Sequence, residues 1–551
     1  MKARAWRIPY RLGAAVIVAM LTLALSAGLA PAQNSRALAS SARRADSARN
    51  TLVVAMPSDM QNLDPTLSSA DIPTQEMLTN VYSWLIDYKL VNQNGHLYGD
   101  PNQFVGGLAQ SWTMMDNGKV VRFHLRHNLR FANGDPLNAD AVKFTYDRIF
   151  GQKGVTVGLL ALSAITNKNQ IVKVDNYTVD FRMRTPNTLL FGNMAQFGHS
   201  ILDPKVVQAH ETAGDPYAHN WLATHTTGTE TGPYELQSWQ PGNQWVLVAN
   251  PNYYGPQPKI TKIIFKVIPD ASTRLALLRR GAVDMTYEIA TKDIRALQQD
   301  PNVKVLRFPS RFVVFLGMNS NVKPFNNVQV RQAISYAVPY HTILKDVLHG
   351  YGRQLTSPIP FGTPTHTDQF FHYTTDYAKA KQLLTQAGYP NGFSTTLTIA
   401  NDVEEAKETA VWVKESLANV GITVNIQEMP SATFTGLLQK HQLGFFFFNN
   451  WISINNDPFY HLYWLFRSPC CDYTNYANPM VWRLIDKWMV SNQVATRNQV
   501  AVQLQRTIVN DATWVFLYQP DFVVALRKNV GGYAYYSSDR FTRYRLLYKT
   551  S

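Results

Sequence analysis

Between Asp376 and Phe448 the chain alternates between helical and strand periodicity, and this alternation constrains the fold more than any other stretch. Asp376 is positioned to N-cap a helix carrying Ala378, Leu383 and Leu384, which Gly388 and Pro390 end. Residues 394–399 read as a strand, 404–420 as an amphipathic helix stopped by Gly421, and 422–427 as a second strand. A shorter helix over 431–441 and a third strand over 444–448 complete the pattern. Strands separated by helices of this length form right-handed βαβ units, so a parallel sheet covered by helices is expected. The run Phe445-Phe446-Phe447-Phe448 suits a strand buried on both faces.

Directly after that strand the chain turns polar, through Asn449, Asn450, Trp451, Ser453, Asn455, Asn456 and Asp457 to Pro458. In open α/β sheets, ligands collect beyond the carboxyl ends of parallel strands. A loop with one large ring, several amides and a single carboxylate suits that place. Asn401 and Asp402, which follow the 394–399 strand, would open at the same edge. Asn401, Asp402, Asn449, Asn450, Trp451, Ser453 and Asp457 are therefore candidate ligand-binding residues. The other reading of Trp451 is an indole packed on the core beneath a surface loop.

Residues 1–32 read as an export signal. Lys2, Arg4, Arg7 and Arg11 form its positive end, 12–29 is apolar and small, and Ala30-Pro31-Ala32 suits cleavage. An uncleaved membrane anchor is the other reading; no Cys lies near the cut to carry a lipid. Residues 33–50, rich in Ala, Ser and Arg without apolar period, read as a flexible leader. The remaining roughly five hundred residues exceed what one core supports, so two or more lobes are expected. No later apolar run reaches the ~20 residues of a membrane span.

The formal charge of +14 falls to +10 without the four basic residues of the signal. Apart from Arg43-Arg44 and Arg279-Arg280 the basic residues are scattered singly, and no nucleic-acid motif accompanies them, so no nucleic-acid partner is expected. The two cysteines, Cys470 and Cys471, are adjacent, so a bond within one molecule could only be a vicinal disulfide. Together with His461 they fall short of a metal set, and neither metal nor cofactor is expected. Hydrolase, metalloprotease and nucleotide-binding signatures are missing, so no catalytic residue is assigned.

From Thr51 almost to the end, the chain resembles the periplasmic solute-binding proteins of extracellular family 5, the peptide/nickel group serving ABC importers. The resemblance rests on Asn62-Leu63-Asp64-Pro65, Gly107-Leu108-Ala109-Gln110-Ser111-Trp112 and Asn133-Gly134-Asp135-Pro136. It continues through Thr231-Gly232-Pro233-Tyr234, Asn250-Pro251-Asn252-Tyr253-Tyr254-Gly255, Ile268-Pro269-Asp270 and Val330-Arg331-Gln332-Ala333-Ile334. It implies an α/β fold of two lobes around a cleft, with an additional subdomain over about 78–184. The lobes would span 51–270 and 271–515, with 516–551 returning to the first, and the chain would cross near 268–270 and 515–518. It also aligns Ser68, Ser69 and Asp71 with a ligand-facing segment.

The implied protein is not an enzyme. It would be a periplasmic monomer that captures a small peptide-like solute and delivers it to an inner-membrane permease. Dipeptide-binding relatives hold the ligand amine with an Asp in the loop after the tryptophan, where this chain has Ile454, and the carboxylate with an Arg that the Asn401-Asp402 loop lacks. A zwitterion held in that way is therefore not expected. Asp402 or Asp457 would take the amine, or the cargo would be neutral or cationic. The same fold could carry a glycan, polyamine or nickel complex, with Trp451, Tyr460, Tyr463 and Trp464 as sugar-stacking rings. The reading outside binding is an exported hydrolase with a diffuse acidic site at Asp64, Asp71, Asp402 and Asp457.

Overall fold

The alternating segment folds as its periodicity demands. Strand β15 (Ser394–Ala400) pairs in parallel with β16 (Thr423–Met429), from Ser394↔Thr423 to Ala400↔Met429. The helix between them, Glu404–Ala418, buries Ala406, Ala410, Val413 and Leu417, a single stripe at helical spacing. Strand β17 (Phe446–Ile452) joins β15 in parallel at Leu397↔Phe446 and Thr398↔Phe447. Phe446, Phe447 and Phe448 are all buried, so β17 is covered on both faces; each such ring contributes about 1.5–3 kcal/mol.

The structure, a computed structural model, describes residues 49–67, 71–444 and 446–550. The expected export signal, all of the expected leader except Arg49 and Asn50, and Ser68, Ser69 and Phe445 lie outside the described residues. Within them, the loop expected to open at Asn449 starts later. β17 runs on to Ile452 because β13 (Phe312–Met318) pairs antiparallel along all of it, from Phe312↔Ile452 to Met318↔Phe446. Asn449 and Asn450 are strand residues, and the sheet is mixed.

The large sheet continues through β18 (Trp514–Arg527), β11 (Met285–Thr286), β1 (Thr51–Met56), β10 (Lys262–Val267), β9 (Gln244–Ala249) and β8 (Tyr234–Gln240). Strands β12 (Val303–Pro309) and β14 (Gly352–Gln354) pair with β18 beside that path. β18 serves both lobes. Its first half pairs with β13 and its second, from Asp521 to Arg527, with β12. Pro520 stands at the change of partner, where a residue without an N–H costs no ladder bond. β12 leads into β13 through Ser310 and Arg311, so two crossings lie side by side.

Pairing thus moves the first crossing from the expected 268–270 to Ser310-Arg311. Asp270 merely caps the helix Ala271–Arg279, accepting from Thr273 N at 2.7 Å, and β11 and β12 stay with β1 and the second half of β18. A Pro-Asp step starts a helix as readily as it breaks a chain between lobes. The second crossing falls at 519–521, just beyond the expected 515–518.

The additional subdomain carries β2 (Ile86–Gln93), β3 (His96–Gly106) and β20 (Ala534–Tyr536) in one sheet. A second holds β4 (Ala109–Met115), β5 (Val120–Leu125), β6 (Ile171–Asp175) and β7 (Thr178–Arg182). Its core extends to Leu190, Met194 and Ile201, whereas Leu78 packs in the first-lobe core from the helix Ile72–Val81. The core shared by these two sheets includes residues from Leu85 to Ile201, joined by Ala534 and Tyr536.

Asp64 fastens this subdomain to the first lobe. Arg148 donates to both its oxygens at 3.0 and 2.5 Å, Gln152 donates at 3.1 Å, and His219 Nδ1 lies 2.9 Å away. Burial alone would raise the Asp64 carboxyl, but the His219 hydrogen bond and Arg148 outweigh it and hold the pKa below the ordinary 3.8. A folded pKa below the unfolded one stabilises the fold above pH 3.8, and this contribution disappears as pH falls through the folded value. Replacing Arg148 by Met strands a buried carboxylate. Chemical denaturation at pH 7 should register a loss of about 3–5 kcal/mol, and the gap from the parent should narrow below pH 3.8.

Candidate binding site

The two crossings form the floor of a cavity of about 590 Å³, within the roughly 300–1,000 Å³ typical of small-molecule sites. β18 contributes Tyr518, Pro520, Asp521 and Phe522, and the start of β13 contributes Phe312 and Val314. Alternation along β17 turns Phe448, Asn450 and Ile452 into this space. The second lobe adds Val403, Glu405 and Ser431, and the first adds Met56, Ile72, Glu76, Tyr287 and Glu288. Tyr535, Arg540 and Phe541, from the returning C-terminal segment, close one side.

The charged groups here differ sharply in their partners. Glu76 is buried; it accepts from Tyr287 Oη at 2.7 Å and from Thr542 N at 3.3 and 3.2 Å. Burial outweighs these bonds and pushes its pKa up to about 7. Asp521 pairs with Arg307. The Arg540 guanidinium lies 5.3 Å from the centre of the Phe312 ring. Glu288 opens onto the cavity; burial raises its carboxyl while Arg540 and Arg274 pull it back.

Of the residues singled out from sequence, Asn450 lines this cavity. Asp402 and Asn401 sit just outside it, and Asp402 accepts from Ser431 Oγ while its neighbour Val403 lines the wall. Asp71 caps the helix Ile72–Val81, accepting from Thr74 N at 2.8 Å, and again its neighbour faces the cavity. Asn449 and Trp451 point to the opposite face of β17, because a strand alternates. Trp451 is half-buried there against Leu159, Leu162, Leu189 and Tyr460, an apolar contact between the lobes.

The segment 453–457 has been turned to the same purpose. Asn455 Nδ2 donates to Leu189 O and Asn193 Oδ1, both at 2.9 Å, and Asn456 Nδ2 donates to Asn102 Oδ1 at 2.7 Å. Tyr88 Oη donates to Ile454 O at 3.3 Å, and Ser453 Oγ donates to Asn455 O. Asp457 caps the helix Pro458–Phe466 and pairs with Arg497 at 2.5 Å, while Thr188 Oγ1 donates to it at 2.7 Å. These polar side chains hold one lobe against the other. Arg311, at the crossing, joins them by donating to Asn456 Oδ1 at 2.6 Å.

Sequence reasoning missed Glu288, Glu405 and Arg540. Glu405 carried a weak signal, an acid in the first turn of a helix after a candidate loop, which the helix dipole explains equally well. Glu288 and Arg540 carried none, since each is one scattered charge among many.

Comparison with known proteins agrees with this architecture. The chain matches the family described as bacterial extracellular solute-binding proteins, family 5 Middle, over residues 103–470, more than half its length. It is 29% identical over 491 residues to the probable D,D-dipeptide-binding periplasmic protein DdpA of Escherichia coli K12, covering 88% of this chain and 92% of that one. It is 26% identical to the glutathione-binding protein GsiB of Escherichia coli O1:K1, with the same coverage. Among solved structures, the periplasmic binding protein DppA of Helicobacter pylori, in complex with the peptide STSA, superposes with a TM-score of 0.78 at 25% identity, covering 93% of this chain and all of that one. The dipeptide-binding protein of a Pseudoalteromonas species, at 21% identity and the same TM-score, covers 91% of this chain and shares the fold. The two lobes, the double crossing and the matched length make this chain a member of the bacterial extracellular solute-binding proteins, family 5.

Proposed function

We propose that the protein captures a peptide-like solute in the periplasm and presents it to the membrane permease of an ABC importer. One observation carries this reading: the large cavity lies on the crossing strands and takes its walls from both lobes. A solute there touches both bodies at once, and a ligand that binds the closed arrangement better shifts the population toward it. The named solutes of the relatives, a D,D-dipeptide, glutathione and the peptide STSA, support a peptide-like cargo. The periplasmic naming of two of them, DdpA and DppA, supports export of this chain. A micromolar Kd corresponds to about 8 kcal/mol, well within the reach of a half-apolar cavity of this size.

The acidic residues of the hydrolase reading are dispersed and otherwise engaged. Asp64 pairs with Arg148, Asp457 with Arg497, Asp402 accepts from Ser431, and Asp71 caps a helix. That dispersal favours binding over turnover.

Two outcomes test the reading. In a thermal-shift screen of di-, tri- and longer peptides beside glycans, polyamines and nickel, a peptide should raise the melting temperature most. At a hundredfold excess over Kd the stabilisation is about 2.7 kcal/mol. Cleavage of peptides without any stabilising solute would defeat it. Replacing Asn455 by Ala removes two hydrogen bonds between the lobes and leaves buried partners unsatisfied, at a cost of about 1–3 kcal/mol to the closed state. Small-angle scattering of the unliganded variant should report a larger radius of gyration than the parent, and its solute affinity should fall with the closed fraction.

A further inference from the structure

We propose that the bond between Cys470 and Cys471 is a thiol-exchange site, separate from the cavity, at which a small thiol such as cysteine or glutathione is oxidised. The inference goes beyond solute capture and does not depend on the cargo. The two cysteines are joined to each other, and neither is among the residues lining the cavity. They sit in the turn that follows the helix Pro458–Phe466.

The first observation is that this bond staples nothing. A disulfide stabilises a fold chiefly by closing a loop in the unfolded chain, and the benefit grows with the number of residues enclosed. Neighbours in sequence enclose none. The turn is held by other bonds. Cys471 N and Asp472 N donate to Ser468 O at 3.4 and 3.2 Å, and Ser320 N donates to Thr474 O at 2.8 Å. His441 Nε2 donates to Pro469 O at 3.0 Å, and Thr474 Oγ1 donates to Asp472 Oδ1, also at 3.0 Å. The sulfur–sulfur bond can therefore open without releasing the chain around it.

The second is access. Cys470 is exposed and Cys471 half-buried, and exposed disulfides are the ones that exchange readily with thiols. The chain has no other cysteine. An opened pair has no third thiol with which to reshuffle, and it closes only on itself.

The third is a donor fixed on one sulfur. Ser468 is buried, and its N–H donates to Tyr463 O at 2.8 Å, which anchors it to the end of the helix. Its Oγ donates to Cys470 Sγ at 3.3 Å. A hydrogen bond to sulfur favours the thiolate over the thiol, and a stabilised thiolate leaves faster.

These features set the order of steps. A substrate thiolate attacks the exposed Cys470 Sγ; the sulfur–sulfur bond breaks, and its electron pair leaves on Cys471 Sγ, which takes a proton from water. A second substrate thiolate attacks the substrate sulfur of this mixed disulfide. That bond breaks in turn, and its electron pair leaves on Cys470 Sγ beside the Ser468 hydroxyl before water protonates it. Two thiols together lose two electrons and two protons and become one disulfide. The cysteine pair gains both.

The test treats the mature chain, exported and purified without reductant, with excess reduced glutathione in the absence of oxygen, followed by intact mass. The folded chain should first gain one glutathionyl group, which fragmentation places on Cys470. It should then return to its starting mass plus two hydrogens, with one glutathione disulfide formed per chain. The melting temperature of the reduced chain should stay within about 2 °C of the oxidised one. Ser468→Ala should prolong the mixed disulfide about threefold at an unchanged melting temperature, a readout that a purely structural serine would not move. Two thiols already reduced in the exported chain, or a bond that opens only in denaturant, would overturn the site. So would reduction that unfolds the chain, or a glutathionyl group on Cys471. A mixed disulfide whose lifetime ignores Ser468→Ala would overturn the part given to that hydroxyl. None of these outcomes bears on solute capture, which the thermal-shift screen tests separately.

Discussion

Everything in this molecule depends on β18 being one strand with two sets of partners. Backbone N–H and C=O groups inside a protein must be paired, and β18 meets that demand with β13 and β14 on one side of Pro520 and β11 and β12 on the other. The lobes are therefore portions of one continuous sheet. Gln519 reinforces the junction: its amide donates to Phe361 O at 3.0 Å and to Ser310 O, and it accepts from Phe361 N at 3.0 Å. The chain passes between the lobes in two adjacent strands, and the cavity lies directly on them.

A chain rich in amides at the end of a strand could meet a solute or another part of the protein. Here Asn455, Asn456 and Asp457 meet the first lobe and its subdomain, beside the apolar contact of Trp451 and Tyr460 with Leu159, Leu162 and Leu189. Each such hydrogen bond contributes only about 0.5–1.5 kcal/mol net.

The same economy appears in the charges. Several buried ions away from the cavity are paired: Asp64 with Arg148, Asp539 with Arg543, Asp457 with Arg497. Arg540, Glu288 and Glu405 instead face the cavity, where Arg540 opposes the rise of the Glu288 carboxyl.

The alternating segment was legible in the sequence, since helical and strand periods record which side chains must be buried locally. β15, β16 and the helices around them lie within a few residues of their expected limits. The family was legible too, through turns such as Asn62 to Pro65 whose residue types follow from local backbone geometry. The facing of β17 was not. Its antiparallel pairing with β13, 130 residues earlier, carried the strand past Asn449 and sent Trp451 away from the cavity. Lobe limits were equally hidden, because Pro269-Asp270 has the same local chemistry at a helix start as between lobes. Arg540 and Glu288 come to one cavity only after two distant segments fold against the same sheet. Local burial is written in short-range pattern; membership of a cavity between lobes is decided by long-range pairing, and only the tertiary structure contains it.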